Sequence, residues 1–358
     1  MMNLIPKMLM VADLIAVAAW PAPGHAPSPY RELSLDMGEN SVTCLVVDDK
    51  HDRAYVVAGD DNFRYTLDQS SAIIVRLSLS GFVRDRTLTL SAGENALYTG
   101  TLDQEQDFLY LASYGDPNRS IPARLVKIRL ADFKPVQSTP LGKDNFGVRS
   151  VVLDTVHTVG YFGTLFGNVI SVQFPDLRVL GSLSLQKENN AFQCAVMDPQ
   201  NLFAYFGTST GNILKVSLSD FSPAGNLTVL RGEKGFSSAA LDAVGGYAYF
   251  GTQGSPGKVV RLALRDFAPQ ETLLLEPDEG NLIASFIDRP HDRLYVVSAK
   301  PPSRLIQIRL SRFERLGFIP ISASPNPPTC AAMDAARNTL YVSLDDHPAK
   351  ILRIAVPF

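Results

Sequence analysis

The chain has 358 residues, of which 46% are hydrophobic and 19% are charged, and its formal net charge is −3. This length suits either two domains or one large closed all-β domain, so internal repeats must decide the domain count. The charges are nearly balanced and no basic block occurs, which argues against non-specific nucleic-acid binding through phosphate neutralisation.

The N-terminal segment resembles a secretory signal peptide. Lys7 precedes an apolar run over residues 8–20, and small residues follow at Gly24 and Ala26. A charged start, an apolar stretch and a small-residue cleavage site are the parts of such a signal. We therefore predict that residues 1–26 are a signal peptide, cleaved after Ala26 or alternatively after Gly24, and that the protein is secreted. The alternatives are an uncleaved membrane anchor and a disordered cytosolic tail.

A repeat runs through the rest of the chain. The string GYFGT at 160–164 and the two AYFGT strings at 204–208 and 248–252 mark it, each with an aspartate seven residues before its tyrosine. The same pair occurs seven times, as Asp48/Tyr55, Asp103/Tyr110, Asp154/Tyr161, Asp198/Tyr205, Asp242/Tyr249, Asp288/Tyr295 and Asp334/Tyr341. The aspartates lie 44 to 55 residues apart, which is the length of one four-stranded propeller blade.

Each unit contains short strands separated by turn residues. In the fifth unit, strands are predicted over 237–242, 247–252, 258–264 and 271–276, and no stretch shows a sustained helical period. The repeated aspartate is predicted to accept hydrogen bonds from the backbone of the turn that it opens. The fold class is therefore all-β.

The chain ends predict how the ring closes. The last unit stops after its third strand, at 350–358, while residues 31–41 resemble the fourth strand and turn of the first unit at 85–96. The N-terminal strand would then complete the last blade and remove an exposed sheet edge. We predict one seven-bladed β-propeller domain of four-stranded blades over residues 30–358.

Several strands are similar to those of known propellers. YVVAG at 55–59, LYVVSA at 294–299 and LYVSL at 340–344 resemble the YVTN-type seven-bladed propellers, and the AYFGT units resemble tandem propeller repeats of secreted microbial proteins. The tryptophans of WD40 repeats are missing, since the sole tryptophan is Trp20 in the leader. The resemblance implies a fold and says little about activity, because propellers host many functions.

Two apparent motifs are predicted to be structural. Cys44, Cys194 and Cys330 each stand four residues before a repeat aspartate, where the other units have Thr, Ser or Ala. We predict small buried residues there, without disulfides. The segment 207–211 (GTSTG) matches the nucleophile elbow of hydrolases, but a strand follows instead of a helix, which predicts a hairpin loop around Ser209.

Acidic residues are predicted on one face of the ring. Six occupy the loops between blades and are candidate partner-binding residues: Glu39, Glu94, Asp144, Glu188, Glu233 and Glu279. Four others lie in the loops between the second and third strands of the first and last units and are candidate Ca²⁺ ligands: Asp60, Asp61, Asp345 and Asp346. Clustered carboxylates supply the oxygen ligands that Ca²⁺ needs, although solvated turns would look the same. Asn118 and Asn226 begin sequons for N-glycosylation.

These features predict a secreted, non-enzymatic propeller that binds a protein or glycan partner through an acidic loop face. No catalytic residue is predicted. The alternative is a lactonase-like or other propeller hydrolase, with a metal-dependent acidic site at the channel mouth. Nucleic-acid binding and a membrane span beyond the N-terminal segment are not expected.

Overall fold

A computed structural model describes residues 30–59, 71–185 and 191–357. Within these ranges the chain forms seven four-stranded antiparallel sheets and one short 3-10 helix. The sheets are the blades of a seven-bladed β-propeller, as the repeat predicts. None of the described helices is long and apolar enough to cross a membrane.

The strands follow the repeat. Blade 1 contains β2 (Ser41–Asp48), β3 (Arg53–Gly59), β4 (Ile73–Ser78) and β5 (Val83–Thr89). Blade 2 contains β6 (Leu97–Asp103), β7 (Phe108–Ser113), β8 (Arg124–Arg129) and β9 (Lys134–Pro140), with the 3-10 helix Pro117–Arg119 between β7 and β8. Blade 3 contains β10 (Val148–Asp154), β11 (Val159–Thr164), β12 (Asn168–Gln173) and β13 (Arg178–Ser184). Blade 4 contains β14 (Phe192–Asp198), β15 (Phe203–Thr208), β16 (Asn212–Ser217) and β17 (Ser222–Thr228).

The remaining blades repeat this order. Blade 5 contains β18 (Phe236–Asp242), β19 (Tyr247–Thr252), β20 (Lys258–Ala263) and β21 (Ala268–Leu274). Blade 6 contains β22 (Leu282–Asp288), β23 (Arg293–Ser298), β24 (Ser303–Arg309) and β25 (Glu314–Ser322). Blade 7 contains β26 (Pro328–Asp334), β27 (Thr339–Leu344), β28 (Lys350–Ala355) and β1 (Tyr30–Ser34). We name the four strands of a blade A to D, from the central channel outward.

The ring closes as predicted. Strand β1 pairs antiparallel with β28, from Tyr30 opposite Ile354 to Ser34 opposite Lys350. Leu33 packs against the core between blades 7 and 1, and Lys350 forms an ion pair with Glu32 across the two strands. The N-terminal strand therefore supplies strand D of the last blade and covers the edge of β28.

The connections define two faces. The loops between strands B and C, and those between strand D and the next blade, lie on what we call the upper face. The A–B and C–D turns lie on the lower face. In blade 3 the lower A–B turn is held by Asp154, whose Oδ1 accepts hydrogen bonds from the backbone N–H groups of Val156 and His157, each at 3.0 Å. This confirms the structural role predicted for the repeat aspartate.

Aromatic contacts join neighbouring blades. The buried tyrosine of strand B packs against a phenylalanine from the C–D turn of the next blade, as Tyr55 does with Phe133 at 5.8 Å between ring centroids. The same contact joins Tyr110 with Phe174, Tyr161 with Phe221, Tyr205 with Phe267, Tyr249 with Phe313, and Tyr341 with Phe82. Phe133 has φ 56°, a left-handed backbone conformation that is unfavourable for residues other than glycine. The inter-blade contact offsets that cost.

The two motif predictions are also confirmed. The cysteines are free, with Cys44 and Cys194 buried and Cys330 half-buried. Ser209 lies in the hairpin between β15 and β16, where its backbone N–H donates to Ala191 and Gly211 has φ 84°. No helix follows this turn, so the nucleophile-elbow geometry is absent from these strands.

Candidate functional site

The A strands enclose a central channel with different ends. A cavity of about 240 Å³ is lined by the A strands of blades 2 to 6. The first inward position of each A strand is at the upper end and is mostly polar, with Thr43, Tyr98, Arg149, Gln193, Ser237, Ile283 and Thr329. The last inward position is apolar in every blade, with Val47, Leu102, Leu153, Met197, Leu241, Ile287 and Met333. The side chains that line the channel are therefore more polar at the upper mouth than at the lower one.

Two acids of the predicted ring are buried in ion pairs. Glu39 is 3% exposed, accepts a hydrogen bond from the backbone N–H of Asp36, and binds the guanidinium of Arg84 through both carboxylate oxygens at 2.8 and 2.9 Å. Glu279 is fully buried and binds Arg315 in the same bidentate way. Each carboxylate accepts a backbone hydrogen bond within its own turn and forms an ion pair with an arginine of strand D.

The other acids of the ring do not all stand at the same position of their loops. Glu94 closes its turn as Glu39 does, by accepting from the N–H of Ser91. The equivalent position of the next loop is Asn145, so Asp144 stands one residue earlier and is exposed. Glu233 is exposed and pairs with Lys258 at 2.5 Å. Glu188 lies outside the described residues. Three of the five described acids of the ring are thus paired with a basic side chain, and partner binding by these residues stays a prediction.

The predicted Ca²⁺ ligands are only half described. Asp60 and Asp61 lie outside the described residues. Asp346 accepts a hydrogen bond from the side-chain amide of Asn326 and lies 3.6 Å from the Lys350 ammonium, and the backbone N–H of Asp345 donates to Pro327. Among the residues that the structure describes, no three His, Cys, Asp or Glu side chains gather closely enough to hold a metal ion.

Both sequon asparagines are accessible. Asn118 lies in the exposed 3-10 helix, where its backbone N–H donates to Asp116. Asn226 lies on the outer strand β17, with its side chain exposed. Either position has room for a glycan, and glycosylation stays a prediction.

An aromatic–arginine patch lies beside the upper mouth of the channel. We define it as Tyr98, Tyr114, Phe146, Arg149 and Phe166. The Arg149 guanidinium stacks over the Tyr98 ring at 4.0 Å and lies 5.9 Å from the Tyr114 ring. The Phe146 and Phe166 rings meet edge to face at 6.1 Å, and Phe166 is 42% exposed.

Blades 2 and 3 hold this patch together. The N–H of Gly147 donates to the carbonyl of Tyr114, and the N–H of Leu165 donates to the carbonyl of Gly147. Tyr98 and Arg149 come from the A strands β6 and β10, whereas Tyr114, Phe146 and Phe166 come from three loops. Arginine and aromatic residues are enriched among residues that dominate binding energy at protein interfaces.

The patch is not apparent from the sequence, because its members belong to different parts of the repeat: strand A, the B–C loop and the loop that precedes strand A. One signal was available. At the first inward position of the A strand the seven units have Thr, Tyr, Arg, Gln, Ser, Ile and Thr, so the two largest residues stand in adjacent units. The loop between β7 and β8 also departs from the short hairpins of blades 3 and 4.

Comparison with known proteins supports the fold. No protein-family model and no curated protein matches the chain. A solved structure titled "Structure of U3-55K", a WD40 propeller, aligns with a TM-score of 0.68 at 10% identity, over 90% of this chain and 98% of that one. The chain therefore has a WD40-like seven-bladed propeller fold, although it lacks the WD tryptophans. At 10% identity this likeness concerns the fold alone.

Proposed function

We propose that the protein is a secreted, non-enzymatic scaffold that binds a partner protein through the aromatic–arginine patch on its upper face. The observation that carries this proposal is the placement of two aromatic pairs, one of them stacked with Arg149, on strands and loops of blades 2 and 3 that are joined by backbone hydrogen bonds. Exposed Asp144 flanks Phe146 and would then belong to the polar rim around an apolar centre. Secretion rests on the leader at residues 1–26.

The acidic ring alone supports partner binding less well than the patch does. Buried, bidentate pairing with arginine leaves Glu39 and Glu279 without a role in contacting a ligand. The YVTN-type resemblance and a glycan partner are compatible with this proposal, since aromatic rings also stack on sugars. The hydrolase alternative gains no support from the described residues, where neither a metal-binding cluster nor an elbow-type serine is found.

The test uses matched variants of the full chain. The protein is tagged and purified from its source, and a co-purifying partner is produced separately for measurement of Kd. Tyr114→Ala with Phe166→Ala should raise Kd by about tenfold or more, because each ring is a candidate centre of the interface. Val244→Ala on the lower face, 81% exposed, is the control and should leave Kd unchanged. Equal affinities for all three proteins would refute the proposed site.

A further inference from the structure

Strand C carries a cation beneath the tyrosine in most blades. In each blade one strand C residue lies opposite the strand B tyrosine in the sheet. In blades 1 to 7 these residues are Arg76, Lys127, Ser171, Lys215, Arg261, Gln307 and Arg353. In blade 4 the Lys215 ammonium lies 3.8 Å from the Phe203 ring and 5.7 Å from both Tyr205 and Phe267. The blade thus places its own cation between its tyrosine and the phenylalanine of the next blade.

Two other blades show a related arrangement, in which the strand C cation lies over the aromatic residue that begins strand B. The Lys127 ammonium lies 3.9 Å from Phe108 and donates to the carbonyl of Pro175 in blade 3. The Arg261 guanidinium lies 5.0 Å from both Tyr247 and Phe313. The position between blades is therefore built for a cation on an aliphatic stem, since aromatic faces attract cations.

Blade 3 keeps only part of these surroundings and has no cation at the strand C position. Ser171 occupies the strand C position and Val159 replaces the aromatic residue that begins strand B in blades 2, 4 and 5. The ring pair of Tyr161 and Phe221 is retained at 5.8 Å. A groove of about 560 Å³ results on the lower face between blades 3 and 4. The equivalent groove between blades 4 and 5, where Lys215 is present, measures about 330 Å³.

The charges around this groove favour a cation. Asp154 and Asp220 both line it, together with His157, whose Nδ1 lies 2.7 Å from the Asp154 carboxylate, and no lysine or arginine is among the described residues that do. Asp220 accepts hydrogen bonds from the hydroxyls of Ser217 and Ser222, which lower its pKa and keep it ionised. Burial raises the pKa of Tyr161, and the negative charge of Asp154 raises it further. In blade 4 burial lowers the pKa of Lys215, and the negative charge of the equivalent Asp198 opposes that shift.

We propose that the groove between blades 3 and 4 binds an alkylammonium or alkylguanidinium group, which takes the place that Lys215 and Arg261 fill in their own blades. The aromatic faces of Tyr161 and Phe221 would contact the cation and its stem, and Asp154 and Asp220 would balance its charge. The group could be a lysine or arginine side chain of a partner or a free amine. The groove lies on the face opposite the aromatic–arginine patch, so this proposal is independent of the proposed function.

The probes for the test are blocked lysine (N-acetyl-lysine methylamide), blocked arginine, n-butylamine and blocked norleucine as the neutral match. Titration of the full mature chain, followed by NMR or calorimetry at neutral pH, should show saturable binding of the cationic probes and about tenfold weaker binding of norleucine. Preference for the blocked amino acids would identify a side chain as the natural ligand, and preference for n-butylamine a free amine. Equal binding of norleucine, or no saturable binding of any cation, would overturn the proposal.

Two lysine substitutions provide the matched variants. Ser171→Lys fills the groove as Lys215 fills the next one and should weaken binding of the cationic probes by about tenfold or more. Gln307→Lys makes the same change at the equivalent position of blade 6 and should leave binding within about twofold of the original chain. Circular dichroism melts establish that both variants fold. Unchanged binding by a folded Ser171→Lys variant would place the ligand elsewhere and refute the site.

Discussion

At the scale of single residues, the glycine of each FGT string explains the small residues on strand A. A Cβ atom added at Gly207 would lie 2.7 Å from the Cys194 sulfur and 3.0 Å from the Cβ of Phe236. A Cβ atom added at Gly163 or Gly251 would lie 2.5 Å from the hydroxyl oxygen of Ser150 or Ser238, respectively. Cys194, Ser150 and Ser238 are therefore small because strands A and B approach too closely at these positions for a larger pair.

This packing predicts the effect of one methyl group. Gly207→Ala should destabilise the protein by about 1–3 kcal/mol, because the added atom overpacks the contact with Cys194. Cys194→Ala removes the sulfur, so the double variant should be more stable than the sum of the two single changes predicts. Urea unfolding of the four proteins measures this coupling. Strict additivity would contradict the contact.

The same burial makes the thiols unreactive. Burial raises the pKa of Cys194 to about 12 and raises that of Cys44 further, and the thiolate is the reactive form. An Ellman assay of the native protein should therefore detect at most Cys330, and all three cysteines should react after unfolding. Cys330→Ser is the control and should abolish the native signal. Rapid modification of Cys194 in the folded protein would show that this strand is open.

At the scale of elements, the C–D turn joins each blade to the one before it. Phe133 is 4% exposed, packs on Tyr55 and lies 5.1 Å from the Arg76 guanidinium. Phe133→Ala should lower the free energy of unfolding by about 3–5 kcal/mol, as expected for a buried aromatic residue. Val136→Ala on the same blade, 42% exposed, should change it by less than about 0.5 kcal/mol. Equal effects would mean that the turn does not join the blades.

The sequence predicts the blades well because their signals are local. An aspartate, a tyrosine seven residues later and alternating strands all lie within one unit, so the repeat alone establishes seven sheets and their closure. The phenylalanine of the C–D turn also repeats, but its partner is a tyrosine one blade away, about 78 residues earlier for Phe133. Contacts across that distance follow from the ring and not from the spacing within a unit.

The charge of the upper face could not be predicted for the same reason. Glu39 and Arg84 are 45 residues apart in sequence, and Glu279 and Arg315 are 36 apart. Counting acids in loops overlooks these partners, because the arginines belong to outer strands. The difference between Asp144 and Asn145 shows a second limit. Only the turn hydrogen bonds reveal which of two adjacent residues occupies the position of Glu39.

At the scale of the whole molecule, the ring of buried tyrosines predicts sensitivity to alkaline pH. Burial raises the pKa of Tyr55, Tyr205 and Tyr249 to about 12, compared with about 10 in an unfolded chain. The folded state thus favours the neutral phenol. This contribution to stability is complete below about pH 10 and is lost as the pH rises through 12.

Thermal melts between neutral and alkaline pH, combined with tyrosinate absorbance, measure this effect. The melting temperature should fall steeply above about pH 10, and most of the tyrosinate signal should appear together with unfolding. Tyr110→Phe is the matched variant, because burial also raises the pKa of Tyr110 and its hydroxyl has no hydrogen-bond partner among the described residues. It should retain stability at neutral pH and lose less on alkalinisation. A flat profile would contradict the burial of the ring.

Closure by β1 governs the stability of the ring as a whole. Strand β28 lies between β27 and β1, and Leu35 adds a backbone hydrogen bond to Ala349 beyond the strand. Deleting residues 31–38 should expose β28 as an edge strand, remove Leu33 from the core between blades 7 and 1, and break the turn that Glu39 closes. An unpaired edge is a template for association with other chains. The deletion should therefore aggregate or melt well below the intact chain.

A circular permutant separates the loss of the strand from the loss of the chain connection. Residues 30–38 are moved behind residue 358 through a short glycine linker, so that strand D of blade 7 follows β28 directly as it does in the other blades. Because β1 pairs antiparallel with β28, this connection is a hairpin of the same kind as the C–D turns of blades 1 to 6. The permutant should regain the monomeric state and most of the melting temperature that the deletion loses. A deletion that melts like the intact chain, or a permutant that fails to fold, would show that β1 does not close the ring in the way described.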